Sequence, residues 1–182
     1  MSFLLALRLV TSPVRGWSDL SVACRSEDGL PPPAVMGGVA ALMSVGASCV
    51  GAALMSHTSV QKVVVWTLAA VAGYFGSVAS ALSISADRLR VPPESADLVP
   101  RFVASSALPL AASGLFNFVP LPGLTVVWTV TAFALTAHTA WVGAQAIFGF
   151  EGEARTRAAT TVAVYSVAPI LFPLCFRVLF ER

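Results

Sequence analysis
The sequence predicts an all-α polytopic membrane protein with five transmembrane helices, and three observations carry that prediction. Of its 182 residues 57% are hydrophobic and only 11% charged, where a soluble domain carries about 25% charge. Four stretches contain no Asp, Glu, Lys or Arg: Gly29–Gln61, Val63–Ala86, Phe102–Phe150 and Ala158–Phe176. A bilayer-spanning helix needs about 20 apolar residues, so each stretch can hold at least one span. The basic residues, finally, gather in alternate connections. Together these features argue against an ordinary cytosolic enzyme and a disordered chain. A net charge of +2 is too slight for a nucleic-acid partner.

Residues 1–33 are expected to form a cytoplasmic amphipathic segment. The apolar run Phe3–Leu7 is stopped by Arg8 and has no basic residue before it, which is too little for a cleaved signal. Arg8, Ser12, Arg15 and Asp19 follow one another at steps of four, three and four, a single polar stripe on a helix. Phe3, Leu4, Leu7, Val14 and Trp17 lie off that stripe. A helix bent at Pro13 can lie among lipid headgroups with Trp17 as its anchor. It can equally pack on the protein itself. Arg8, Pro13, Arg15 and Trp17 are the candidate contacts to lipid or partner.

Residues 34–182 are expected to hold the five spans. Leu30-Pro31-Pro32-Pro33 sets the start of the first, 34–56, and the second follows at 63–85. The stretch Phe102–Phe150 has 49 residues, about 74 Å as one helix against a hydrocarbon core of about 30 Å. It must fold back, and Val119-Pro120-Leu121-Pro122-Gly123 supplies the break, because proline cannot continue a helix. Spans at 102–118 and 124–148 result, with the last at 158–180. Arg8, Arg15, Arg25, Arg88, Arg90, Arg101, Arg155 and Arg157 then fall on one side, and Lys62, Arg177 and Arg182 on the other. The excess of basic residues marks the cytoplasmic face, so the N-terminus is expected inside and the C-terminus outside. Ala40, Ser44, Ser48 and Ala52 in span one, and Ala69, Gly73, Ser77 and Ala81 in span two, form small-residue faces suited to close helix packing.

Little in these spans invites chemistry. They hold no Asp or Glu, and His138 stands alone in the middle of span four. It either bonds a hydroxyl on a neighbouring helix, Ser106 or Ser166, or serves a gate or ligand. Cys24, Cys49 and Cys175 have no metal or redox spacing. There is no glycine loop with a lysine for a nucleotide, so neither catalysis nor a cofactor nor a metal is expected.

Ser106-Ala107-Leu108-Pro109 is echoed by Ser166-Val167-Ala168-Pro169. In each, the proline removes a helix hydrogen bond that the serine can partly replace. Around the first copy the order is Ser-x-x-Pro, an apolar run, Pro120-Leu121-Pro122, and a long span ending Trp141-Val142-Gly143-Ala144. Upstream stands Ser12-Pro13-x-x-x-Trp17-x-x-Leu20. This order resembles the bacterial branch of the Yip (Ypt-interacting-protein) membrane family. The resemblance implies a five-span helical fold with a cytoplasmic N-terminus. Eukaryotic members are tied to Golgi and endoplasmic-reticulum traffic, Rab-type GTPases and complexes with one another. The acidic-Leu-Tyr-Gly-Pro motif and the long cytosolic domain of those members are missing here, which argues against a GTPase partner. Ten Arg against one Lys suits a GC-rich bacterial genome, hence a bacterial inner membrane.

The function expected is a non-enzymatic membrane module that binds other membrane proteins, a second copy included, or organises lipid. The alternative is a small channel or permease. Its passage would be lined by the proline-broken spans three and five around His138, with Ser106, Pro109, Ser166 and Pro169.

Overall fold
The computed structural model describes residues 8–9, 11–24, 86–113 and 122–167, with isolated positions between 47 and 84. Every regular element among them is helical: α1 (Pro13–Cys24), α2 (Ala86–Leu89), a 3-10 turn (Pro93–Ser95), α3 (Leu98–Ser106), α4 (Leu108–Ser113), α5 (Pro122–Phe148) and α6 (Gly152–Tyr165). Helix α5 is the axis of the assembly, and α1, α3, α4 and α6 all pack on it.

Proline sets several of the helix limits. A helical turn ends at Thr11, the chain bends at Ser12, and α1 begins at Pro13. The bend is so tight that a Cβ on Gly16 would lie 2.8 Å from the backbone N and Cα of Leu9. Only glycine fits that approach. Pro109 has no amide hydrogen to continue α3, so the helix stops at Ser106 and α4 starts anew after Ala107. Pro122 stands at the first position of α5, where its missing hydrogen would be unpaired in any residue.

Other turns are closed by left-handed residues. The Arg90 amide donates to the Asp87 carbonyl (3.1 Å) and the Val91 amide to that of Ala86 (3.0 Å). This is the Schellman pattern that ends a helix with a left-handed residue. Here that residue is Arg90, with φ +54°. Between α5 and α6 the chain reverses through Gly149 (φ +67°), Phe150, Glu151 and Gly152 (φ +50°). A Cβ at either glycine would meet nothing, so the backbone conformation alone calls for them.

The core is one cluster in which Leu9, Trp17, Leu89, Val99, Phe102, Ala140, Ala144 and Val162 are buried together. Its centre is aromatic. Trp17 meets Phe102 at 5.7 Å between ring centroids, and Phe102 meets Phe148 edge-on at 5.3 Å. Phe148 then lies 5.4 Å from Phe150. The Arg88 guanidinium sits over the Tyr165 ring at 5.4 Å, holding α2 to α6.

The expectation of five membrane-spanning helices is overturned. No helix among the described residues is long and apolar enough to cross a membrane. The predicted span 102–118 is cut at Ala107 into helices of 9 and 6 residues. At 27 residues α5 has the length, about 40 Å. Its apolar residues, however, are interleaved with Thr125, Thr129, Thr131, Thr136, His138, Thr139 and Gln145. Of the predicted span 158–180 only 158–167 is described: its helix has 14 residues, about 21 Å, begins among Glu153, Arg155 and Arg157 and ends at Tyr165, while 168–180 lies outside the described residues. Span 34–56, most of span 63–85 and their small-residue faces lie outside the described residues. With the count goes the topology drawn from it, N-terminus inside and C-terminus outside.

Candidate functional site
Two features of the α5 surface bear on function: the seat that holds α1, and the face left open on the other side. The seat is built by Gly143. A methyl group there would come within 2.5 Å of Trp17 Cε2 and 2.6 Å of Cζ2, so the indole lies directly on the α5 backbone. Gly in a helix interior costs about 1 kcal/mol relative to Ala, and here the close approach of a fully buried tryptophan offsets that cost. Ala140 and Ala144 beside it are also fully buried, which widens the seat. Polar atoms are trapped in the same interior. Trp17 Nε1, Ser105 Oγ, Thr136 Oγ1 and Thr139 Oγ1 are buried without a hydrogen-bond partner, each a destabilisation of about 1–3 kcal/mol.

The open face follows the helical repeat. Val127, Val130, Thr131, Ala134, His138, Trp141 and Gln145 are all exposed, and their three- and four-residue steps place them on one side of α5. Val127 and Val130 are 60% and 63% exposed. At the far end the Arg155 guanidinium lies over the Trp141 ring, 3.1 Å from its centroid. It is tied down by a 2.6 Å hydrogen bond donated from its Nε to the Trp141 carbonyl. The His138 ring stacks beside Trp141, 6.3 Å between centroids and 23° between planes. Cation and aromatic rings thus form one plate at the α5–α6 junction.

Three exposed hydroxyls of α5 and α6 bond within their own helices. Thr131 donates to the Val127 carbonyl (2.9 Å), Thr156 to that of Gly152 (3.2 Å) and Thr160 to that of Thr156 (2.8 Å). All three residues are exposed. Each satisfies its hydroxyl within its own helix.

The sequence candidates are scattered by this arrangement. Arg8 is exposed and its Nη1 donates to Asp19 Oδ2 at 2.9 Å. Arg15 is exposed and Pro13 half-buried. Trp17, expected at the membrane interface, is fully buried in the protein, because Gly143 leaves room for it. Ser106 is buried and donates to the Phe102 carbonyl of its own helix (2.8 Å). Pro109 is buried behind it. Ser166 is buried where α6 ends, its amide on the Val162 carbonyl (2.9 Å). Pro169 lies outside the described residues. His138 is exposed and stacked on Trp141 rather than bonded to Ser106 or Ser166. Of the residues assigned to a passage, His138 thus lies on an exposed face while Ser106, Pro109 and Ser166 are buried. Sequence reasoning missed Gly143 as a seat and Arg155 as a partner of Trp141. A glycine amid the buried small residues of a long helix was the available signal for the first.

Among the described residues no His, Cys, Asp or Glu cluster could hold a metal ion. Comparison with known proteins gives no matching family model, no similar curated protein and no similar solved structure. The Yip resemblance therefore rests on the order of sequence features alone.

Proposed function
We propose that the chain is a non-enzymatic, membrane-associated helical module that docks other membrane proteins or organises lipid through its apolar helix faces. The observation that carries this reading is the character of the exposed surface. Val14, Val22, Val127, Val130, Trp141 and Val164 are between 40% and 70% exposed, and Val127, Val130 and Trp141 share one face of α5. Threonine hydroxyls bond the preceding turn in water as well, so the apolar side chains are what distinguishes this surface. In an apolar medium an unsatisfied hydroxyl is costly, and the bonded threonines of this surface are compatible with lipid or an apolar partner. Single exposed apolar residues are ordinary, whereas apolar side chains repeated along one helix face support a contact role.

Fractionation of expressing bacteria tests the proposal. The protein should stay with the membrane through high-salt washes and come off in detergent. Recovery in the detergent-free soluble fraction overturns it, because contacts between apolar faces and lipid are not weakened by salt.

A further inference from the structure
We propose that the open α5 face from Val127 to Trp141, completed by Arg155 of α6, docks on anionic phospholipid, with the Arg155 guanidinium receiving the headgroup phosphate. The inference rests on the membrane-associated reading above and names the face and the lipid class. The face changes character along its length. Val127, Val130 and Ala134 are followed after a turn by His138 and Trp141, and then by Gln145. From Val127 to Trp141 is about 21 Å along the axis. Apolar residues leading to a tryptophan and then to polar groups is the order met on passing from hydrocarbon into the headgroup layer.

Arg155 gives the choice of headgroup. Arg8 pairs with Asp19 and Arg157 with Glu153, whereas among the described residues no carboxylate pairs with Arg155. Its Nε is spent on the Trp141 carbonyl and its plane is held on the indole. The ion is thus fixed in place before any ligand arrives, which reduces the ordering cost of binding. A guanidinium is well matched to phosphate oxygens, and charge complementarity favours an anionic lipid over a zwitterionic one. A basic residue near an anionic lipid surface is worth about 1 kcal/mol, or about fivefold in local enrichment.

The test uses the full chain in phosphatidylcholine nanodiscs doped with dansyl-labelled phosphatidylglycerol or, separately, dansyl-labelled phosphatidylcholine. Energy transfer owed to Trp141 is the signal lost on Trp141→Phe. Transfer to the anionic probe should exceed that to the zwitterionic one by about fivefold. Arg155→Gln should abolish the excess, and Arg157→Gln should leave it intact. Arg155→Lys, which keeps the charge but not the planar stacking on Trp141, should retain part of it. Equal transfer to the two probes, or an excess that survives Arg155→Gln, overturns the inference while membrane association stands. A chain that fails to associate with any of the discs overturns the proposed function with it.

Discussion

The contact between Trp17 and Gly143 yields the sharpest prediction of the fold. Gly143→Ala places a methyl 2.5 Å from Trp17 Cε2, where ordinary contact begins at 3.4 Å, so the indole must retreat by about 0.9 Å. It cannot swing aside, because the ring is fully buried and flanked by Phe102. Overpacking of this kind costs about 1–3 kcal/mol, and a rigid ring belongs at the upper end. Against it stands about 1 kcal/mol gained by replacing a mid-helix glycine with alanine. A net loss of about 2 kcal/mol is expected. Trp17→Ala alone should cost about 3–5 kcal/mol. In that background the ring is gone, so adding Gly143→Ala should now stabilise by about 1 kcal/mol. Denaturant unfolding of the four chains in one detergent, followed by far-ultraviolet circular dichroism, measures the cycle. The sign reversal is the test. If Gly143→Ala loses the same stability with and without the indole, Trp17 does not sit on Gly143.

Three further substitutions probe other joints. Gly16→Ala meets the backbone of Leu9 at 2.8 Å, which cannot rotate away, so it should lower stability by more than about 1 kcal/mol and speed proteolysis ahead of Pro13; unchanged cleavage would refute the tight bend. Thr139→Val keeps the side-chain shape and deletes a buried hydroxyl without a partner, so it should raise stability by about 1 kcal/mol, and a lowered thermal midpoint would show that the hydroxyl is bonded. Arg90→Gly relieves a left-handed arginine at φ +54° and should stabilise by about 1 kcal/mol, read as a higher midpoint; a drop would mean that the arginine side chain supports the turn.

Sequence and structure agree most where backbone chemistry decides. Pro13, Pro109 and Pro122 each mark a helix limit or a bend, since no context restores the missing amide hydrogen. They diverge where averages decide. Counting charges made 102–150 and 158–176 look like bilayer spans, yet hydropathy along α5 is diluted by threonines and His138. The start of α6 overlaps the charged loop Glu151–Arg157, which the count had placed outside the helix. The fate of Trp17 was not legible either. A tryptophan off the polar stripe of α1 suits lipid and protein equally, and the partner that decides lies 126 positions later, at Gly143. His138 falls in the middle of the predicted span 124–148. Its register with Val127, Val130 and Ala134 already placed it on their face, but nothing in the sequence said that this face is the open one.

That long separation also constrains the order in which the chain can mature. Synthesis at about 5–20 residues per second leaves α1 waiting roughly 6–25 seconds before the stretch around Gly143 has been made. Throughout that interval its tryptophan has no berth and must be shielded by some other apolar contact. Although translated before the other described helices, α1 is therefore among the last of them to settle.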